Sequence, residues 1–199
     1  MAELVRADRP NQQMTASAED AVIAEHLHGA GLQDYGYWFF YPWSSTLVHV
    51  LPEHEFRRLR SDRNRLKILP AEQQRLATAR IAIAGLSVGL AAATTLALEG
   101  VGGAFALADF DALGLSNLNR LNAPVADLGL NKAVLAARRL LELDPYLRVE
   151  VFDDGVTDAN IDAFLGGGMP GPALLVEECD DLSRRSACAN GRATCVFRC

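Results

Sequence analysis

An α/β fold with a doubly wound, mainly parallel sheet is the architecture this chain predicts, on three observations. Short apolar runs recur at Ile81–Ala84, Ala104–Ala108, Leu147–Phe152 and Ala173–Val176, with helix-patterned stretches between them. That alternation of strand and helix calls for a parallel sheet with crossover helices. The first two runs are continuously apolar rather than alternating, as strands covered on both faces are. Finally, the first run enters Gly85-Leu-Ser87-Val-Gly89 and the second ends in Asp109 and Asp111. A glycine turn opening a helix, with an acidic group ending the next strand, is a Rossmann-like nucleotide arrangement. The sheet is expected to be incomplete at its C-terminus and to carry a small N-terminal α+β extension. The expected division is 1–59 for an aromatic-rich extension, 60–182 for the sheet domain and 183–199 for an irregular tail.

With 199 residues, half of them hydrophobic, the chain can bury one good core and a small appendage. Its net charge of −6 argues against a broad basic surface for nucleic acid. MAELVRADRPNQQM lacks an apolar signal region, so a soluble, cytoplasmic protein is expected. Ile81–Leu98 is uncharged and about long enough for a bilayer span. Glycine, serine and two threonines interrupt it, and it splits into strand-like and helix-like halves at Gly85, which argues against a membrane helix. Cys179, Cys188, Cys195 and Cys199 form no C-x-x-C pair, so neither a structural zinc site nor a disulfide framework is supported.

Taken in order, residues 1–14 are polar and expected to be disordered. Ser17-Ala-Glu-Asp20 reads as a capping box before a helix through about His28. Seven of the fourteen aromatic residues lie between Tyr35 and Trp43, too many to leave exposed, so this stretch is expected to pack against other residues. A base-stacking surface is the alternative. Thr46–Val50 reads as a strand, with Pro42 marking a turn or edge. His26, His28, His49 and His54 lack a metal-ligand spacing and read as helix-surface and strand histidines. Pro52 starts a short helix, EHEFRRLR. Five arginines and a lysine fall between Arg57 and Lys67, either a solvated helix face or a phosphate-facing group.

The helix of Ala71–Ala79 delivers the chain to the first sheet strand. Leu90–Glu99 is Ala/Leu-rich and helical, with Gly100 as its stop. Lys132–Leu143 is an amphipathic helix ended by Asp144-Pro145. Thr157–Leu165 reads as a short helix closed by Gly166-Gly-Gly168. Residues 183–199 show neither helical nor strand period, as expected of a truncated or frame-altered ending.

The glycine turn alone permits NAD, with Asp109 on the adenosine ribose. The residues after the second strand add two cations. D-F-D-A-L-G-L-S-N-L-N-R, then G-L-N-K, places Asp109, Asp111, Asn117, Arg120 and Lys132 just past a strand's C-terminal end, where open α/β sheets bind ligands. Arg and Lys there suit a triphosphate, because displacing pyrophosphate concentrates negative charge that cations and Mg²⁺ stabilise. Asp180, after the fourth strand, is placed to hold that metal.

On these motifs, residues 60–181 resemble the ThiF/ubiquitin-activating superfamily, the adenylating enzymes of ubiquitin-like and sulfur-carrier proteins. The resemblance implies a role for Asp109 on the ATP ribose, with Asp111 beside it. It implies phosphate contacts for Asn117, Arg120 and Lys132, and Mg²⁺ for Asp180 in Cys179-Asp180-Asp181. Gly85, Ser87 and Gly89 form the nucleotide turn. Arg60-Ser-Asp-Arg63-Asn64 resembles the family's R-x-x-R-Q, whose second arginine reaches the partner protomer's ATP; this implies Arg63 and a homodimer. The aromatic N-terminal region resembles a bacterial subgroup sometimes fused to a nitroreductase-like domain. The implied reaction joins ATP to a carboxylate, here the C-terminal glycine of a ubiquitin-like or sulfur-carrier protein. Two other readings stay open: an NAD(P)-binding oxidoreductase, and a nucleotide-binding module without turnover.

Overall fold

The computed structural model describes residues 1–9, 11–167, 171–178 and the backbone of 195–197. They form two compact units, Met1–Leu69 and Pro70–Cys199. The compact units meet between Leu69 and Pro70, and the 3₁₀ turn Asp62–Leu66 belongs to the first of them.

The first unit contains helices α1 (Ala2–Asp8) and α2 (Ala16–His26), an antiparallel hairpin of β1 (Tyr37–Tyr41) and β2 (Thr46–Val50), and helix α3 (Glu53–Arg60). The expected disorder of residues 1–14 gives way to α1, which buries Leu4 and Val5. Arg6 of α1 grips the Glu19 carboxylate of α2 through two hydrogen bonds, at 2.9 and 3.0 Å. Apolar burial together with a bidentate pair orders a segment whose composition alone reads as polar. The N-cap of α2 is Thr15, whose Oγ1 accepts from the Ala18 N–H, and Ser17 lies inside the first turn.

Pro42 and the three residues after it turn β1 into β2. The aromatic run does not pack away as expected. Tyr41 is buried, but Tyr37, Trp38 and Phe40 are 58, 54 and 60% exposed. Strand alternation puts Trp38 and Phe40 on one face, cross-strand from His49 and Leu47. That face is open, while Tyr37, on the same face as buried Tyr41, is exposed at the start of β1. Beside the hairpin, Glu55 is buried, and its Oε1 accepts from Tyr35 Oη at 2.8 Å and lies 2.7 Å from His26 Nε2. Burial, then the hydrogen bond to Glu55, then that group's negative charge push the Tyr35 hydroxyl up to about 12.

The second unit is a parallel sheet in the order β5-β4-β3-β6-β7. Its strands are β3 (Arg80–Ala84), β4 (Ala104–Ala108), β5 (Arg148–Phe152), β6 (Leu174–Glu177) and β7 (Cys195–Phe197). Helices α4 (Pro70–Ala77), α5 (Gly89–Leu98), α6 (Lys132–Leu143) and α7 (Ile161–Phe164) complete it. The strand β7 pairs with β6 where an irregular ending was expected. The rest of that tail, except the backbone of 195–197, lies outside the described residues. The expected helix Thr157–Leu165 shortens to the single turn of α7.

RIAIA and AFALA, the sequences of β3 and β4, explain how the sheet is wound. Their register pairs Ile81 with Phe105 and Ile83 with Leu107 on one face, and Ala82 with Ala106 and Ala84 with Ala108 on the other. The large side chains pack with Leu90, Ala93 and Ala97 of α5 and Ala133, Ala136 and Leu140 of α6. The alanine face leaves room for Phe164 of α7 and its edge-on neighbour Phe152. Gly100, at φ +71°, stops α5, and the Val101 N–H returns to the Leu96 carbonyl at 2.8 Å. Among the described residues, no helix is long and apolar enough to cross a membrane.

Candidate functional site

The sheet order reverses between β3 and β6, the neighbours on either side of the point where the chain crosses over. The crevice beyond the carboxyl ends of such strands is where this architecture takes ligands. Leaving β3, Gly85 adopts φ +86°, and its N–H donates to the Ala108 carbonyl of β4 at 2.9 Å. That turn aims the N-terminus of the ten-residue α5 at the crevice. At Gly89 the helix seats on the sheet so closely that a Cβ would lie 2.7 Å from Ile83 Cγ2.

Asp109 leaves β4 buried. Its Oδ2 accepts from the Leu86 N–H at 2.7 Å and its Oδ1 from the Asp111 N–H at 2.9 Å. The carboxylate therefore clasps the glycine turn to the end of the neighbouring strand, and each oxygen keeps further lone-pair capacity. Asp111 is the more open of the two, with a side chain 53% exposed.

Lys132 opens α6 and is 4% exposed, an unusual burial for a lysine. Its Nζ donates to Asp111 Oδ2 at 2.7 Å and to Ser87 Oγ at 3.1 Å. The intervening loop brings it there by doubling back. Ala112 forms a β-bridge with Asn131, and the Lys132 N–H donates to the Asp111 carbonyl at 2.9 Å. Asn131 is the hub of this return. Its Oδ1 caps α6 through the Ala133 and Val134 N–H groups, at 2.8 and 3.3 Å. Its Nδ2 donates to the carbonyls of Asp109 and Asp153, at 2.9 and 3.1 Å, tying the helix to the ends of β4 and β5. The sequence reading missed Asn131, although an asparagine directly before a helix is a recognisable N-cap signal.

The structure thus gathers Gly85, Ser87, Gly89, Asp109, Asp111 and Lys132 at one strand end. Among the described residues, the hydrogen bonds of the Asn117 and Arg120 side chains are to local partners. Asn117 Oδ1 accepts from the Gly114 N–H at 2.9 Å, and Arg120 is exposed with its Nη1 donating to Asn119 Oδ1 at 2.9 Å. Arg63 sits exposed on the 3₁₀ turn Asp62–Leu66 of the first unit. Asp180 lies outside the described residues. Among those described, no group of three or more His, Cys, Asp and Glu side chains could hold a metal. Carboxylate oxygens at the ends of β4 and β6 are nonetheless the hard donors Mg²⁺ takes, one or two at a time, beside phosphates and water.

Comparisons with known proteins identify the family of this chain. The chain is 46% identical over 159 residues to the uncharacterized protein MT1398 of Mycobacterium tuberculosis, covering 77% of this chain and 22% of that protein. It is 38% identical over 116 residues to the Escherichia coli tRNA threonylcarbamoyladenosine dehydratase, covering 57% of this chain and 42% of the enzyme. A crystal structure of that dehydratase in complex with ATP superposes with a TM-score of 0.59 at 32% identity, covering 66% of this chain and 53% of that one. Ubiquitin-like modifier-activating enzyme 5 of Drosophila persimilis is 31% identical over 157 residues, with 71% of this chain and 40% of the enzyme covered. The chain spans less than half the length of each of these three relatives. The ThiF family model matches residues 61–191, which include the glycine turn, Asp109, Asp111 and Lys132. With an adenylyltransferase-type Rossmann-like fold and this match across most of its length, the chain belongs to the ThiF family.

Proposed function

We propose that this chain activates a carboxylate with ATP, as an adenylyltransferase of ThiF type. The observation that carries the reading is Lys132, a buried ammonium held by Asp111 and Ser87 beside a glycine turn and a helix N-terminus. A buried cation in a strand-end crevice has little use in hydride transfer and a direct one in neutralising phosphates.

In this mechanism an ionised carboxylate, the C-terminal glycine of a ubiquitin-like or sulfur-carrier protein, attacks the α-phosphorus. The new bond joins acyl oxygen to phosphorus, the α–β bridging bond breaks, and pyrophosphate leaves with its electron pair. No general base is needed, because the attacking group is already ionised at neutral pH. Lys132 and Arg120 offset phosphate charge, Asn117 donates to phosphate oxygen, and Arg63 does so from the second protomer of a homodimer. Asp109 holds the ribose through its remaining lone pairs. Asp180 would hold Mg²⁺, which supplies charge neutralisation on the phosphates when bound. Positioning and electrostatics then account for the rate.

The test is ATP–pyrophosphate exchange with the carrier peptide, alongside calorimetric ATP binding. Lys132→Ala should lower exchange by at least about a hundredfold, the scale of a lost charge-stabilising donor. Exchange unchanged in Lys132→Ala would sink the mechanism. ATP binding without exchange in the parent chain would assign a nucleotide-binding module instead.

A further inference from the structure

In the nucleotide fingerprint G-x-G-x-x-G, each glycine has its own task. The first makes the tight turn, the second clears the backbone for pyrophosphate, and the third lets helix and strand pack closely. The turn between β3 and α5 keeps two of these tasks. Gly85, at φ +86°, makes the turn. Gly89 gives the close packing, since a Cβ there would lie 2.7 Å from Ile83 Cγ2. Two residues after Gly85, where the middle glycine belongs, this chain has Ser87.

The Ser87 hydroxyl does not do what its place in the chain suggests. A serine at the start of a helix ordinarily caps it by accepting from a first-turn N–H. The N-cap of α5 is instead Val88, and no side chain caps the helix. Ser87 Oγ lies 3.1 Å from Lys132 Nζ, a residue 45 positions away. An ammonium only donates, so Ser87 Oγ is the acceptor in that bond and its own proton remains available. Among the described residues, Ser87 makes no second side-chain hydrogen bond. Lys132 directs one N–H to Ser87 and one to Asp111 Oδ2, which leaves the third of its three donors.

From this arrangement we infer that Ser87 is a phosphate-positioning residue. Its hydroxyl proton and the third N–H of Lys132, side by side at the N-terminus of α5, hold one phosphate of a nucleoside triphosphate. The inference rests on the function proposed above and deepens it. Contact through bare backbone, the use of the fingerprint's middle glycine, is replaced by contact through a hydroxyl and an ammonium that fix one another. Lys132 gives up neither Asp111 nor Ser87 to make it.

Restoring the fingerprint residue tests this directly. If bare backbone received the phosphate, Ser87→Gly would preserve or tighten ATP binding. If the hydroxyl receives it, both Ser87→Gly and Ser87→Ala should raise the calorimetric Kd for ATP at least about tenfold, the loss of one hydrogen bond to a charged group. Ser87→Thr keeps the hydroxyl and should restore binding. Because Ser87 and Lys132 hold the same phosphate, the double variant Ser87→Ala, Lys132→Ala should lose less than the product of the two single losses. The Leu86 N–H, which donates to Asp109 Oδ2 at 2.7 Å, reports whether the turn itself is intact. Its native-state hydrogen exchange should be as slow in Ser87→Ala as in the parent chain.

Unchanged ATP affinity in Ser87→Ala, or tighter binding in Ser87→Gly, overturns the inference; if Lys132→Ala still lowers pyrophosphate exchange, the adenylation reading survives. Accelerated exchange at Leu86 alongside the affinity loss makes Ser87 a structural part of the turn and overturns the inference as well. ATP binding that depends on Ser87 in a chain without pyrophosphate exchange leaves the inference standing and removes the adenylation reading. A parent chain that binds no ATP overturns both.

Discussion

Replacing Asn131 by alanine removes the four hydrogen bonds that place Lys132. Two are capping bonds to the Ala133 and Val134 N–H groups, and two run from Nδ2 to the Asp109 and Asp153 carbonyls. Loss of the cap costs about 1 kcal/mol. Each lost donation costs about 0.5–1.5 kcal/mol, toward the lower end where water reaches the carbonyl. The expected destabilisation is about 2–3 kcal/mol, less than a simple sum because the four bonds share one side chain. Asn131→Asp separates the two halves. It keeps an acceptor at a helix N-terminus, where negative charge is favourable, but sets a carboxylate against two carbonyl oxygens. Native-state hydrogen exchange is the suitable assay, because both tryptophans lie in the first unit and fluorescence would report the wrong part of the chain. Exchange at the first turn of α6 should accelerate in Asn131→Ala and be partly protected again in Asn131→Asp. ATP affinity should fall in both, since the ends of β4 and β5 no longer hold the turn that carries Lys132. Exchange within about 0.5 kcal/mol of wild type, the ordinary range for an inert surface change, would refute the reasoning.

Two further outcomes are expected. Gly89→Ala places a methyl group against Ile83 Cγ2, 2.7 Å away at a fully buried side chain, and should destabilise the second unit by about 1–3 kcal/mol in urea titration. The Tyr35 hydroxyl, raised from 10.0 to about 12, binds its proton more tightly in the folded chain than in the unfolded one. Its contribution to first-unit stability is therefore complete below pH 10 and lost as pH rises toward 12, and Tyr35→Phe should remove that part of the pH dependence in a tryptophan-monitored unfolding series.

Much of the second unit was legible because its side chains leave little choice. RIAIA and AFALA are too apolar for a surface strand, Gly100 stops α5 at the expected place, and Lys132–Leu143 has the bounds its periodicity implies. The first unit was less legible. The order of α1 rests on Leu4 and Val5 finding a core and Arg6 finding Glu19, contacts between separate elements that local polarity does not reveal. The aromatic hairpin misled in the opposite direction, since composition says that such residues are usually buried but not whether a second layer exists to bury them.

The sequence alone determined the alternating α/β order, the glycine turn before α5 and the acidic end of β4, because each is set by a few adjacent residues and their backbone preferences. Membership of the ThiF family was also readable from D-F-D, S-N-L-N-R and G-L-N-K. Only the tertiary structure decided what those motifs do together. It turned the two oxygens of Asp109 back onto the turn, left Asp111 the more open carboxylate, and made Asn131 the tie that holds a buried Lys132 between Asp111 and Ser87. Those are contacts between residues some 20 to 45 positions apart, made by the doubling-back of one loop, and no local preference encodes them.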